Sequence, residues 1–246
     1  MSDAFNKLYS DIATRKGEAH KTGPYAGGNG RIDRAVDIIL DEEQGFPTSG
    51  TLLDVGGATG NLGYALRDYF QTRITLDISE ECREPAVSKG NIFIKTNVDQ
   101  NGFFDENLDF WVTDGQCDLI VSLDFIEHIL DPVKFAKECM RSPRPGGHIL
   151  INTPNIQFWR HLESLVVDGV FPHTSGDREV YHGGHVAFFN LHDMKTIFGG
   201  VGFKECRMIT RGLEAESPPP IWQAISKVGN LQLSYPDLIF SARRPI

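Results

Sequence analysis

Short apolar runs alternate with stretches of helical periodicity along the chain from residue 31 onward. The runs predict strands at 52–55, 73–77, 91–95, 118–122, 148–152, 203–210 and 238–243. The stretches between them repeat apolar residues three or four positions apart, the spacing of a helix that packs on one face. Strands that alternate with helices predict an α/β fold with a parallel sheet, whose ligands bind at the carboxyl ends of the strands.

Two further elements are predicted from signals other than helical spacing or an apolar run. A further helix is predicted to start at Asp131-Pro132, because proline suits the first helical position. The segment 100–116 is acidic and irregular, and it is predicted to be a loop. Helical periodicity itself is found at 31–40, 61–69, 156–166, 191–198 and 222–228.

The strand at 52–55 ends in a glycine-rich turn, 56–60, and a helical pattern begins at Asn61. Glycine lacks the Cβ atom that would keep the backbone away from a ligand, and the first helical N–H groups point toward whatever lies above the turn. Asp54 places a carboxylate at the same end of the strand, and Asp77 ends the second strand about 20 residues further on. An acid in that position can accept hydrogen bonds from a ribose diol, so the sequence predicts an adenosine-containing ligand.

Three segments, in this order, resemble the class I S-adenosylmethionine-dependent methyltransferases of type 11/23, and they are similar to the ubiquinone-biosynthesis O-methyltransferases. They are DVGGATG at 54–60, CDLIVSLDFIEHILDP at 117–132 and PGGHILINTPN at 145–155. The resemblance implies a Rossmann-like three-layer sandwich with a seven-stranded, mostly parallel sheet whose last strand is antiparallel, and S-adenosyl-L-methionine as the cofactor. One departure is Ala58, where the family usually has glycine; its methyl group is expected to tighten the packing against the ligand.

The resemblance also implies which residues bind the cofactor. Ile78 would offer an apolar face to the adenine ring, and Asn97 or Asp99 would accept a hydrogen bond from its amino group. Both polar residues are equally compatible with a structural role in the turn after the third strand. The backbone at Ser122, which ends the fourth strand, would lie near the methionine part. The implied cofactor-binding set is Asp54, Gly56, Gly57, Gly60, Asp77, Ile78, Asn97, Val98, Asp99 and Ser122.

Two histidines are candidates for the base that methylation of a hydroxyl group requires. His128 follows the fourth strand and would lie near the reactive end of the cofactor, and His185 could approach that end from above. Each histidine is also compatible with a structural role, in which the imidazole bonds to backbone and holds a loop. The predicted catalytic candidates are therefore His128 and His185.

The same stretch of the chain contains candidate metal ligands. Asp124, Glu127 and His128 have the spacing that would put three ligands on one face of a helix. A similar acid–acid–histidine set is found in the ubiquinone-biosynthesis O-methyltransferases, where a divalent metal is implicated. Acids at a helix start also complement the helix dipole, and this structural role is favoured. His182 and His185 lack a second pair of ligands, so zinc is not expected, and no metal is predicted.

Two segments outside the predicted sheet are expected to surround the site within a single domain, 1–246. By resemblance, the polar N-terminus at 1–30 would be a cover segment over the cofactor, with Tyr9 and Tyr25 as contacts; a mobile terminus is the alternative. The aromatic- and histidine-bearing segment 155–190 is expected to be a substrate lid, because loops on a rigid sheet commonly carry specificity.

The composition argues against two classes of binding partner. The net charge of −9, from 24 basic and 33 acidic residues, argues against nucleic acid and against an anionic membrane surface. No apolar run reaches the roughly 18 residues of a membrane-spanning helix, and the N-terminus lacks a signal-peptide core. Four scattered cysteines fit a reduced, cytoplasmic enzyme. The resemblance implies a small-molecule methyl acceptor as its partner.

The acceptor atom is predicted from a motif that this chain lacks. Amino methylation has an Asn/Asp-Pro-Pro-aromatic signature after the fourth strand, and this chain has LDFI at 123–126 instead. The sequence therefore favours methyl transfer to an oxygen of a small molecule or sugar. The alternatives are N- or C-methylation by the same fold, a catalytically silent cofactor-binding regulator, and an NAD-dependent oxidoreductase, since NAD-binding domains use a similar glycine turn.

Overall fold

The computed structural model describes residues 30–105, 110–111, 114–172, 174, 184–229 and 232–246. Its strands are β1 Thr51–Val55, β2 Thr72–Asp77, β3 Ile92–Lys95, β4 Phe104–Asp105, β5 Phe110–Trp111, β6 Cys117–Leu123, β7 Pro143–Pro154, β8 Lys204–Ile209 and β9 Asp237–Arg243. Seven of them form one sheet in the order β3-β2-β1-β6-β7-β9-β8. The first five in this order are parallel, and β9 runs antiparallel to both of its neighbours. The predicted sheet, with its last strand reversed, is confirmed.

The helices of the described residues connect these strands. They are α1 Gly30–Ile39, α2 Asn61–Ala65, α3 Arg83–Ser88, α4 Val98–Asn101, α5 Pro132–Arg141, α6 Trp159–Val166, α7 Leu191–Gly200 and α8 Pro220–Gly229, with short 3₁₀ turns at Glu42–Gln44, Glu80–Cys82 and Ile126–His128. Within this part of the chain, no helix combines the length and apolar character that crossing a bilayer requires.

Two apolar clusters cover the two faces of the sheet. On one face, Leu53 of β1 belongs to the same cluster as Phe135 of α5 and Phe198 of α7. On the other face, Leu52 of β1 belongs to the cluster that contains Ile38 of α1. Successive residues of β1 point to opposite layers because side chains alternate along a strand. Burial on both faces explains the unbroken apolar runs of the central strands and confirms the three-layer sandwich.

The prediction of a loop at 100–116 is wrong. α4 continues to Asn101, and β4 and β5 pair as a small antiparallel ladder. Asn97 caps α4, since its Oδ1 accepts hydrogen bonds from the backbone N–H of Asp99 at 3.1 Å and of Gln100 at 3.3 Å. A helix of four residues and strands of two residues are too short to show a period in the sequence.

Two predicted boundaries also differ from the structure. β7 is longer at both ends than 148–152, because Pro143 pairs with Cys117 beyond a register irregularity and the strand continues beside β9 as far as Pro154. α6 begins at Trp159 rather than at residue 156. The side chain of Asn155 accepts a hydrogen bond from the backbone N–H of Gln157 at 3.0 Å, and this turn delays the start of the helix.

Candidate cofactor-binding and catalytic site

The turn after β1 lies directly against the Asp54 side chain. Gly56 and Gly60 have φ angles of 74° and 70°, in the left-handed region that glycine adopts without strain. A Cβ atom at Gly57 would overlap Asp54 Oδ2 and would lie 2.9 Å from Thr75 Cγ2. The turn therefore presents bare backbone at the carboxyl end of β1, with a carboxylate packed against it.

Ala58 has a φ angle of 44°, which also lies in the left-handed region. This conformation explains why the resembling family usually has glycine at this position, because a Cβ atom makes it costly. The methyl group packs against the buried residues Cys82, Ala86 and Phe93. The expectation that it also tightens the packing against a ligand stays a prediction.

Asp54 and Asp77 form a pair of carboxylates at the ends of β1 and β2. Asp54 is 4% exposed, and burial together with the charge of Asp77 raises the pKa of Asp54 to about 7. Asp77 accepts hydrogen bonds from the backbone N–H of Ala58 at 3.0 Å and of Ser79 at 2.9 Å. Burial raises the pKa of Asp77 above its ordinary value, and these hydrogen bonds only partly offset that effect.

A pocket that is open to solvent lies between the ends of β2 and β3 and the 3₁₀ turn after β6. It is lined by Leu76, Asp77, Ile78, Thr96, Asn97, Val98, Asp99, Phe125, His128 and Ile129. The structure thus brings the residues predicted for the ribose and the adenine together with one candidate base, His128. The other predicted cofactor-binding residues are not part of this lining: Asp54, Gly56, Gly57, Gly60 and Ser122.

Asn97 and Asp99 line the pocket and also hold the turn that follows β3. Asn97 caps α4 as described above. Asp99 Oδ1 accepts hydrogen bonds from the backbone N–H of Leu130 at 2.9 Å and of Asp131 at 3.5 Å. Both side chains therefore make the structural contacts of the alternative interpretation at the wall of the pocket. Ser122 is fully buried, and its hydroxyl donates to the carbonyl of Val55 at 3.2 Å.

Asp124 does not share a ligand set with Glu127. Its φ angle is 50°, and its carboxylate accepts hydrogen bonds from Arg31 of α1 and Asn152 of β7. The predicted spacing assumed an α-helix, whereas the chain makes a 3₁₀ turn at Ile126–His128. The carboxylate of Asp124 is therefore engaged by α1 and β7, and the face of three ligands, which the sequence offered only as the alternative to a structural role, is not formed.

Glu127 is almost completely buried, with 1% of its surface exposed. Its Oε2 accepts a hydrogen bond from the hydroxyl of Thr153 at 2.9 Å. Its Oε1 makes no hydrogen bond among the described residues and lies 3.9 Å from His185 Nε2. Burial, and then the charge of Asp124, raises the pKa of Glu127 to about 8.

His128 and His185 meet edge to face, with their ring centroids 4.8 Å apart. His128 Nδ1 lies 2.9 Å from the carbonyl oxygen of Gly184, which can only accept, so Nδ1 carries the proton and Nε2 holds the lone pair of the neutral ring. His185 Nδ1 lies 2.7 Å from Thr174 Oγ1. The ligand-type atoms of Glu127 and the two histidines lie within 4.8 Å of one another, and such a set could bind a divalent cation.

Some predicted features lie outside the described residues. The cover segment at 1–30 is described only at Gly30, and the lid segment at 155–190 only at 155–172, 174 and 184–190. The residues Tyr9, Tyr25 and His182 all fall outside these ranges.

The sequence pattern did not identify three side chains that shape the site. Phe125 lines the pocket, and its ring lies where a Cβ atom of Gly56 would be. Thr153 bonds to Glu127, and Arg31 bonds to Asp124. An aromatic residue directly after the fourth strand is a usable signal for Phe125. The other two are far from their partners in the chain, and no local pattern indicates them.

The seven-stranded sheet, with its glycine turn and paired acids at the carboxyl ends of β1 and β2, defines the class of Rossmann-like methyltransferases. Residues 29–205 match a family model described as a methyltransferase domain. The chain belongs to this family, whose cofactor is S-adenosylmethionine.

Individual relatives agree with this family. The ubiquinone biosynthesis O-methyltransferase of Aliivibrio fischeri is 25% identical over 137 residues, which make up 53% of this chain and 55% of that protein. The chain spans about half the length of the curated relatives it matches.

Two solved structures share the fold. Phosphoethanolamine N-methyltransferase 2 of Haemonchus contortus, in complex with phosphomonomethylethanolamine and S-adenosylhomocysteine, matches with a TM-score of 0.59 and 16% identity, over 89% of this chain and 53% of that chain. The methyltransferase solved with the Trm112 methyltransferase activator of Haloferax volcanii matches with a TM-score of 0.59 and 14% identity, over 100% of both chains.

The residues of the site fit S-adenosylmethionine. The turn after β1 carries glycine at residues 56, 57 and 60, whose backbone has no side chain to keep a ligand away. Asp77 ends β2 at the pocket wall, where a carboxylate can accept hydrogen bonds from a ribose. Ile78 offers an apolar side chain beside it. An acceptor for the ribose hydroxyls and an apolar side chain for the adenine ring are thus present at one edge of the sheet.

Proposed function

We propose that the protein transfers a methyl group from S-adenosylmethionine to an oxygen atom of a small molecule or sugar. The observation that carries the proposal is the position of His128, which lines the same pocket as Asp77 and Ile78. A base beside the cofactor pocket is needed for a hydroxyl acceptor, whose proton must leave during methylation. The ubiquinone biosynthesis O-methyltransferase among the relatives supports the same acceptor atom.

The cofactor would be held along the carboxyl ends of the first three strands. Asp77 would accept hydrogen bonds from the ribose hydroxyls, and Ile78 would lie against the adenine ring, with Asn97 or Asp99 at its amino group. Val98 would complete the adenine wall. The methionine part would rest on the residues of the glycine turn and the end of β6, which are Asp54, Gly56, Gly57, Gly60 and Ser122.

His128 would act as the general base of the reaction. The bound cofactor supplies a methyl group on a sulfonium sulfur, which departs as a neutral sulfide when the acceptor oxygen bonds to the methyl carbon. His128 Nε2 would take the proton of the acceptor hydroxyl. The hydrogen bond from Nδ1 to the carbonyl of Gly184 keeps that lone pair on Nε2 and holds the ring in place. Among the two candidate histidines, His128 is the one that reaches the pocket wall.

Transfer of labelled methyl groups to phenols, sugars and primary amines tests this proposal. We expect labelled product from phenols or sugars, and we expect His128→Ala to lower kcat by about 100-fold or more while the Kd for S-adenosylmethionine stays close to that of the wild type. Label on amines alone would favour the N-methyltransferase alternative. Cofactor binding without transfer would favour a regulator, and stabilisation by NAD in place of S-adenosylmethionine would favour an oxidoreductase.

We also propose that the protein acts in the cytoplasm. All four cysteines are free thiols, with Cys82, Cys117 and Cys139 buried and Cys206 partly exposed. Burial raises the pKa of the Cys139 thiol well above its ordinary value, so this residue is protonated and unreactive at neutral pH. Buried thiols of this kind support a reducing compartment.

A further inference from the structure

The segment 184–187 is fastened to the 3₁₀ turn Ile126–His128 that follows β6. The backbone N–H groups of Val186 and Ala187 both donate to the carbonyl of Glu127, at 2.8 Å and 3.0 Å. His128 Nδ1 in turn bonds to the carbonyl of Gly184 at 2.9 Å. The tautomer and orientation of the His128 ring therefore depend on the position of the peptide between residues 184 and 185.

The Glu127 side chain approaches the same peptide from inside the protein. Its Oε2 is held by Thr153 of β7, which leaves Oε1 buried and directed toward His185 Nε2 at 3.9 Å. A buried oxygen without a hydrogen bond is costly, and a movement of about 1 Å would bring this pair to hydrogen-bond distance. Two charged groups act on the pKa of this carboxyl: Asp124 raises it, and Arg31 of α1, which bonds to Asp124, lowers it.

His185 is held between two polar groups and does not reach the pocket wall. Its Nδ1 lies 2.7 Å from Thr174 Oγ1, and its Nε2 faces Glu127. Its ring packs edge to face on the ring of His128, with the centroids 4.8 Å apart. Both nitrogens of His185 are thus directed at protein groups, and the ring supports its neighbour.

We propose that Glu127 is a positioning residue, which fixes the base His128 through a hydrogen bond from its buried carboxyl to His185 Nε2. The inference rests on the proposed function, because it assigns a role to a residue that acts through the base. Glu127 anchors the side chain of His185 and the backbone of 186–187. The carbonyl of Gly184, which directly precedes these residues in the chain, then holds His128 in the tautomer that keeps its lone pair on Nε2.

The protons on these groups can be placed in a way that agrees with this arrangement. The raised pKa of Glu127 leaves its carboxyl protonated at neutral pH, so Oε1 can donate to His185 Nε2 while Oε2 accepts from Thr153. His185 then carries its own proton on Nδ1 and donates it to Thr174 Oγ1. No proton is gained or lost in forming the contact.

Two substitutions at Glu127 separate a hydrogen bond from mere volume. Glu127→Met fills a similar space without polar atoms, and replacing a buried acid by an apolar residue is compatible with folding. Glu127→Gln keeps an acceptor for Thr153 and a donor for His185. His185→Asn breaks the same link from the other side. Ser142→Ala is the matched control, because it removes a buried hydroxyl that bonds to the carbonyl of Glu138, in the turn after α5.

The quantity measured is the tautomer of His128, which two-bond ¹H–¹⁵N correlation spectra report. The sample is ¹⁵N-labelled protein saturated with S-adenosylhomocysteine. The His128 signals are assigned by their loss in His128→Ala. We expect the Nδ1–H pattern in the wild type, Glu127→Gln and Ser142→Ala. We expect that pattern to be lost in Glu127→Met and His185→Asn.

An unchanged His128 pattern in Glu127→Met or His185→Asn would overturn the inference. So would a Glu127→Gln spectrum as altered as that of Glu127→Met, because the carboxyl would then act through its charge. A shift of the His128 signals when Mg²⁺ is added to chelator-treated wild type would likewise overturn it, since Glu127 would then be a metal ligand. The spectra need no methyl acceptor, so the inference can fail while the transfer assay succeeds, and the reverse also holds.

Discussion

At the scale of single residues, burial raises the pKa of both acids at the ends of β1 and β2. Asp54 is buried against Gly57, and the nearby charge of Asp77 adds to the cost of ionising it. A ligand with a positive charge or with hydrogen-bond donors relieves that cost, which gives the site affinity for such groups. Without a ligand, ionisation of Asp54 lowers the stability of the folded protein.

The stability of the ligand-free protein is expected to fall as the pH rises from about 4 to about 7. Between its ordinary pKa of 3.8 and its folded-state pKa of about 7, Asp54 holds a proton in the folded protein only. The folded state therefore binds more protons in this window, and the free energy of unfolding decreases by about 1 kcal/mol per pH unit for one such group. Urea unfolding at pH 5, 6, 7 and 8 measures the slope.

Asp54→Asn is the control for this pH dependence, because it cannot ionise and has nearly the same shape. Other groups whose pKa is raised in the folded protein, such as Glu127, contribute equally to the pH dependence of both proteins. The variant should show a flatter slope than the wild type over the same window. Parallel slopes would mean that Asp54 is already ionised in the folded protein at pH 5.

Gly57→Ala should damage the site through volume alone. The new Cβ atom would overlap Asp54 Oδ2 and lie 2.9 Å from Thr75 Cγ2 on a buried residue, so the turn must shift. We expect a loss of about 1–3 kcal/mol in the free energy of unfolding and weaker binding of S-adenosylhomocysteine. Urea unfolding and titration calorimetry measure the two effects.

Gly199→Ala is the matched control, since it makes the same change in α7 where a Cβ atom meets nothing within 4 Å. It should raise the free energy of unfolding by about 0.5–1 kcal/mol, because alanine favours the helix. A Gly57→Ala protein as stable as the wild type would show that the turn is not packed against Asp54.

At the scale of elements, the corner between β6 and α5 organises the catalytic end of the site. Arg31 of α1 and Asn152 of β7 hold Asp124, and Thr153 of β7 holds Glu127. The corner contains the left-handed Asp124 and then a 3₁₀ turn, which together bring His128 to the pocket wall. Two neighbouring elements therefore fix the position of the candidate base.

Asp124→Ala should loosen this corner more than Asp124→Asn. Asparagine tolerates the left-handed conformation and can still accept hydrogen bonds from Arg31 and Asn152, whereas alanine does neither. We expect Asp124→Ala to lower the free energy of unfolding by about 1–2 kcal/mol and Asp124→Asn to lower it by less. Urea unfolding of both variants checks this, and equal losses would show that backbone conformation and hydrogen bonding at residue 124 matter little.

The same corner shows where sequence reasoning stops. The strands and most helices could be predicted because their apolar periods are local, and the carboxyl-edge position of Asp54 and Asp77 followed from the strand ends. The left-handed conformations of Ala58 and Asp124 depend on contacts made after folding, which no local pattern encodes. The approach of Glu127 to His185 joins segments that are distant in the chain, so only the folded structure shows it.

At the scale of the whole molecule, the parallel sheet brings the residues of the site together at the carboxyl ends of its strands. The strand order places β1 between β2 and β6, so the glycine turn lies beside both the acid at the end of β2 and the corner that carries His128. The central claim is that an adenosyl ligand binds across the ends of β1, β2 and β3. Every role assigned to the catalytic side chains depends on that position.

Calorimetric titration of S-adenosylmethionine and S-adenosylhomocysteine into the wild type and into Asp77→Ala tests this claim most directly. We expect saturable binding to one site per chain in the wild type. In Asp77→Ala we expect binding at least about tenfold weaker, since hydrogen bonds to a charged group contribute about 1.5–3 kcal/mol. No heat with either ligand in the wild type, or equal affinity in Asp77→Ala, would contradict the account.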